Sequence, residues 1–138
     1  MLVGRILGLD VGDVRIGAAM SDLLMITAQG IETYTRKDID ADMLHFCELM
    51  DAQNVDTIVC GLPKNMNGTI GEQAEKVQAF AEKLKEVSGR KLIYWDERLT
   101  TKSAHRTLIE ADMSRKKRKA VVDKVAAVYI LQGYMDSL

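Results

Sequence analysis

The spacing of apolar residues changes period along the chain. Residues 4–11 and 15–20 are short apolar runs separated by Gly12-Asp13, and residues 27–35 are rich in Thr, Ile and Tyr. Runs of that length, bounded by turn residues, predict three β-strands, the first two forming a hairpin. Asp38 is placed to cap a helix. After it Ile39, Met43, Phe46, Cys47 and Met50 recur at helical spacing as one apolar stripe. Residues 55–60 read as a short buried strand. Residues 71–88 read as a helix with Ala74, Val77, Ala81 and Leu84 on one face, closed by Ser88-Gly89. Residues 92–95 form a fifth strand. Thr100 or Thr101 caps a helix bearing Ala104, Leu108 and Ala111, and a last helix runs over about residues 116–135.

Short turns make the first three strands antiparallel. The two later strands alternate with helices, so crossover connections lay them parallel to a neighbour. The expected architecture is α/β: a mixed five-stranded sheet with helices on both faces, in one domain over residues 1–138. A chain of 138 residues suits a single core, and 47% hydrophobic with 28% charged residues is ordinary globular composition. No apolar run reaches the roughly 18 residues a membrane span needs. The N-terminus enters a strand pattern at once, without a signal-peptide layout. Cys47 and Cys60 form no C-x-x-C site and lie in apolar patterns, which predicts buried thiols in a reducing cytoplasm. His45 and His105 fall on predicted helices, off the apolar stripes, and read as surface residues.

The net charge of −1 conceals an asymmetry. Residues 1–97 hold 10 Lys/Arg against 16 Asp/Glu, whereas residues 98–119 hold 8 against 2. The positive charge is concentrated in Arg115, Lys116, Lys117, Arg118 and Lys119. Such a block is either a solvated helix start or a landing site for phosphates.

Three acids stand where apolar patterns stop. Asp10 ends the first strand, and in open α/β sheets the carboxyl edge is where ligands bind. Its alternative is a turn cap. Asp96-Glu97-Arg98 ends the fifth strand, where a loop salt bridge is the competing reading. Asp123 heads the helical stripe Asp123, Ala126, Ala127, Ile130 and Tyr134. An acid there is either a buried ion-pair partner or a group serving a metal or a proton transfer. The two alanines allow that helix to approach the sheet closely. Three converging carboxylates suit a hard divalent cation such as Mg²⁺. Between strand and helix, residues 61–71 offer backbone N–H groups, with Lys64, Asn65, Asn67 and Thr69, to an anion. They lack the G-K-[ST] ending of a Walker A loop.

The segments "GLDVGDVRIGAAMSD", "GLPKNMNG", "DERLTT" and "KRKAVVDKVAAVYILQGYMD", in this order, closely resemble the YqgF (RuvX) family. These bacterial proteins are Holliday junction resolvase-like and are described as pre-16S rRNA processing nucleases. The resemblance covers essentially the whole chain. It implies an RNase H-like fold with strand order 3-2-1-4-5, strand 2 antiparallel, and catalytic, metal-holding acids Asp10, Glu97 and Asp123, with Asp96 able to exchange roles with Glu97. It implies Mg²⁺ or Mn²⁺ as cofactor, in a one- or two-metal site. The implied partner is structured nucleic acid, pre-rRNA or branched DNA, met by Gly12, Arg15, Lys64, Asn65, Arg98, Lys116, Lys117, Arg118 and Lys119; no membrane is involved, and monomer and homodimer both remain open. Val14 and Asn67 stand where many members have Lys and Asp. In that fold the fifth strand lies two spacings, roughly 10 Å, from the first, so Glu97 must cross the fourth strand or a bound ion must bridge the gap. Two other functions compete: a nucleic-acid-binding module without chemistry, and an ATP-binding protein of the actin and sugar-kinase class. The latter closes two lobes around its nucleotide, for which 138 residues are too few.

Overall fold

The computed structural model describes residues 4–97 and 115–138, with side chains in the last helix described from Lys124 onward. The elements are β1 (Arg5–Val11), β2 (Arg15–Ser21), β3 (Ala28–Thr35), α1 (Ile39–Ala52), β4 (Val55–Leu62), α2 (Glu72–Ser88), β5 (Lys91–Asp96) and α3 (Arg115–Asp136). The expected helix after Thr100 or Thr101, and with it His105, lies outside the described residues. The sheet order is β3-β2-β1-β4-β5. β1 pairs antiparallel with β2 and parallel with β4, β2 pairs antiparallel with β3, and β4 pairs parallel with β5.

Alternation along the strands divides the core into two layers. Leu7, Leu9, Ile16, Ala18, Ile58, Cys60 and Leu62 face α1 and α2, meeting Phe46, Met50, Val77, Phe80 and Leu84. Ile6, Ala19 and Val59 face α3, meeting Ala127, Ile130, Leu131 and Met135. The alanines of α3 do allow the close approach, and the strand contributes its own half. A Cβ on Gly8 would stand 2.7 Å from the Leu131 Cβ and 3.2 Å from the Ala127 carbonyl oxygen. Asp38 caps α1 by accepting the Ala41 N–H at 2.8 Å. Gly89 ends α2 at φ +68°, where glycine carries no steric penalty.

One helix residue differs from the pattern-based expectation, and a second, on which the pattern is silent, is buried. His45 is half-buried: it stacks on Tyr34 with ring centroids 4.1 Å apart and pairs with Glu32. Asp42, a polar residue on α1, is 1% exposed. Its carboxylate accepts from Arg36 Nε at 3.0 Å, the Tyr34 hydroxyl at 2.9 Å and the Lys37 N–H at 3.0 Å. Of the two cysteines, Cys60 is buried and Cys47 is half-buried.

Burial alone would push the Asp42 carboxyl up, but the Lys37 N–H, Arg36 and Tyr34 together hold it below its ordinary value. Asp42→Asn should therefore destabilise the fold by about 3–5 kcal/mol at neutral pH, because the Arg36 charge is left in place without its counter-ion. A depressed folded pKa contributes stability that is complete above the unfolded carboxylate pKa and is lost as pH falls through the folded one. Urea unfolding of parent and variant should show their gap closing below the ordinary carboxylate range. A gap constant with pH would mean that the Asp42 charge is not what stabilises.

Candidate functional site

Asp10 lies near the carboxyl end of β1, opposite Gly17 of β2. With Ile6 and Gly8 it belongs to the α3 face of the sheet. Two strands away, Glu97 follows β5 directly and continues the alternation of Ile93 and Trp95, again toward α3. Between them lies Gly61 of β4, paired with Trp95 of β5.

The distance across β4 is closed by what Gly61 lacks. A Cβ on Gly61 would stand 2.7 Å from Glu97 Cγ and 2.9 Å from its carboxyl carbon. The Glu97 side chain thus lies over the glycine, through space that any other residue would fill. Its carboxyl group reaches Asp10 and shares a hydrogen bond with it. Glu97 is only 9% exposed. Burial pushes its carboxyl up, the Asp96 charge adds to this, and the hydrogen bond with Asp10 acts against both. The same two acids, with burial as the larger cause, raise the Cys60 thiol far above its ordinary range. Cys60 is therefore a protonated core residue and no nucleophile.

Position 123 lies in α3 one turn before Ala127, whose carbonyl passes over Gly8 of β1. The Asp123 side chain is outside the described residues, as are Arg98 and the side chains of Lys116, Lys117, Arg118 and Lys119. The backbone places residues 116–119 within α3, ahead of position 123. Among the described residues no three of His, Cys, Asp and Glu gather closely enough to hold a metal ion. The described part of the site is thus a two-acid pair, with Asp96 in β5 immediately before Glu97.

The remaining expected contacts are two turn-formers, Gly12 and Asn65, and two half-buried cations, Arg15 and Lys64. Gly12 closes the β1–β2 hairpin, donating its N–H to the Arg15 carbonyl at 2.9 Å. A Cβ there would stand 2.7 Å from that same carbonyl oxygen, so close approach is what demands glycine. Arg15 starts β2 opposite Thr35. Asn65 is occupied in its own loop: its N–H donates to the Thr69 carbonyl and its side-chain amide to the Thr69 hydroxyl, at 2.9 and 3.0 Å. Lys64 is half-buried just beyond β4. Sequence reasoning did not single out Gly61, over which the Glu97 side chain lies, or the Asp42–Arg36 pair beneath the Gly12 turn. The signal for Gly61 was a glycine at a strand end lying between two acid-bearing strands.

A mixed sheet of order 3-2-1-4-5 with helices on both faces defines an RNase H-like fold, and it brings the acids at the ends of β1 and β5 together. The family model described as RuvX, Holliday junction resolvase, matches residues 4–137, and the chain belongs to that family. A Clostridium acetobutylicum protein named "Putative pre-16S rRNA nuclease" is 59% identical over 134 residues, covering 97% of this chain and 99% of its own length. A Clostridium tetani protein of the same name is 55% identical, covering 97% of each chain. Among solved structures, Thermus thermophilus RuvC in complex with a Holliday junction matches with a TM-score of 0.58 at 12% identity, over 98% of this chain and 95% of the other. The fowlpox virus resolvase bound to junction DNA matches with a TM-score of 0.60 at 15% identity, over 96% and 97%. These two likenesses establish the fold.

Proposed function

We propose that this chain is a metal-dependent endonuclease that hydrolyses phosphodiester bonds in structured nucleic acid, with the 5′ end of pre-16S rRNA as its main substrate and branched DNA as the alternative. The observation that carries the reading is the passage of Glu97 over Gly61 to Asp10. Two carboxyl groups in one hydrogen bond, Glu97 buried and Asp10 half-buried, repel each other when both ionise. A chain gains nothing in stability from building that pair, whereas a hard cation is satisfied by it. Mg²⁺ or Mn²⁺ would be held by Asp10, Glu97 and Asp123, with Asp96 adjacent. When bound it supplies charge stabilisation to the reacting phosphate and acidifies a bound water.

The chain's own residues do the rest. Asp10 and Glu97 fix the anionic site at the carboxyl edge of the sheet. Gly12 lets the hairpin turn closely beside it, while Arg15, Lys64, Arg98 and the block Lys116, Lys117, Arg118 and Lys119 offer positive charge to the backbone. Such contacts position without reading sequence. Asn65 contributes by shaping its loop. The names of the close relatives favour rRNA over junction DNA, and the place of action is then the cytoplasm. Among the described residues no helix is long and apolar enough to cross a membrane.

The test presents two labelled substrates, an RNA carrying the 5′ precursor junction of 16S rRNA and a four-way DNA junction, in Mg²⁺ and in EDTA. Cleavage of the RNA in Mg²⁺ alone is the expected result. Cleavage of only the DNA would reassign the substrate, and cleavage of neither would end the enzymatic reading.

A further inference from the structure

Arg36 has more partners than its place just after β3 requires. Its main-chain N–H donates to the Val14 carbonyl at 2.9 Å, prolonging the β2–β3 ladder beyond the Arg15–Thr35 pair. Its Nε donates to Asp42 Oδ2 at 3.0 Å, and its Nη1 donates to the Gly12 carbonyl at 3.1 Å. The guanidinium carbon lies 5.0 Å from the centroid of the Phe80 ring. The side chain is 23% exposed and its Asp42 partner 1%. β3, α1 and α2 therefore all contribute to holding one guanidinium, whose free edge grips a single carbonyl two residues after Asp10.

The consequence lies on the other side of that peptide. In a planar trans peptide the C=O and N–H point in opposite directions. The Gly12 carbonyl is turned into the α1–α2 side of the sheet, so the N–H of Asp13 is turned away from it, at an exposed turn. Tyr34, Phe46 and Phe80 pack on the α1–α2 side, whereas Asp10 belongs to the α3 side. The Asp13 carboxylate, which would repel an anion, has Lys76 Nζ at 3.8 Å to offset it. A buried Arg–Asp pair is seldom a source of net stability, but its planar fork sets geometry well.

We propose that Arg36 is a positioning residue for nucleic acid: by holding the Gly12 carbonyl it presents the Asp13 N–H to a phosphate oxygen of the strand that passes Asp10. This rests on the nuclease reading above. It adds a backbone donor to the site and assigns its alignment to a side chain in the opposite layer.

The experiment measures binding of a labelled four-way DNA junction and a labelled RNA hairpin in EDTA, where nothing is cut. Arg36→Lys keeps a charge beside Asp42 but cannot reach Asp42 and Gly12 with one rigid fork. It should raise Kd about tenfold for both probes, the size of one lost charge-directed hydrogen bond. Deuterium exchange in the peptide spanning residues 11–15 should accelerate. Tyr34→Phe removes another Asp42 partner and leaves the Gly12 grip intact. It should lower the melting temperature yet keep parental Kd. Parental Kd in Arg36→Lys, or equal weakening in both variants, would overturn the proposal while leaving the nuclease reading standing. A parent protein that binds neither probe would overturn both.

Discussion

Gly61→Ala should reduce cleavage by about two orders of magnitude or more, from a residue that has no side chain and bears no charge. The added Cβ would stand 2.4 Å from Ile130 Cδ1, 2.7 Å from Glu97 Cγ and 2.9 Å from its carboxyl carbon. Ile130 is fully buried between sheet and helix and has no room to retreat. Glu97, at the end of β5, can swing out, so the methyl group displaces the acid. Displacing a group that fixes the reacting geometry by an ångström costs about a hundredfold in rate. Overpacking against Ile130 adds a stability loss of about 1–3 kcal/mol. The two effects are separable: cleavage at saturating substrate reports Glu97, and thermal melting reports Ile130. Adding Ile130→Val should recover part of the melting temperature and leave cleavage low. If Gly61→Ala alone cuts at the parental rate, Glu97 does not act from over β4.

The chain order of the sheet was legible because local signals decided it. The hairpin turn at Gly12-Asp13 and the brief β2–β3 connection force antiparallel neighbours, and helix-length crossovers force β4 and β5 parallel. Asp10 was legible for the same reason: an acid after an apolar run marks a strand's end in sequence and in space. Gly61 was not, since its meaning depends on a side chain 36 positions later lying across it. The sequence shows the gap across β4 that Glu97 must cross, but not that a glycine is the means of crossing it. Asp42 was hidden differently. It lies one turn before Phe46 on the buried face of α1, but a polar residue inside an apolar stripe gives no hint of its partners, and Arg36, Tyr34 and Lys37 all precede the helix. Asn65 shows a role that pattern reading did not see. A polar residue in a loop looked available to a ligand, and it also serves its own turn, giving its N–H and one side-chain amide hydrogen to Thr69.

Asp10→Asn should abolish metal-dependent cleavage and leave the fold intact, with a small gain in stability when no metal is present. Asp10 shares a hydrogen bond with Glu97, whose carboxyl is raised by burial and by the Asp96 charge. Removing one of two opposed acids relieves that repulsion, and the Asn amide can donate to the Glu97 carboxylate that remains. The gain should be on the order of 1 kcal/mol at neutral pH. Added Mg²⁺ should reverse the ranking. A cation that binds only the folded parent stabilises it by about 2.7 kcal/mol at a hundred times its dissociation constant, and a variant without the Asp10 charge should gain far less. Melting curves of parent and variant, each in EDTA and in Mg²⁺, should therefore cross. Asp10 as a mere turn cap makes the opposite forecast: the variant would melt lower in EDTA, Mg²⁺ would shift both proteins equally, and cleavage would survive. Crossing melts together with lost cleavage would place the metal at Asp10. Parallel melts with cleavage retained would return Asp10 to the hairpin and leave Glu97 as a buried acid in need of another explanation.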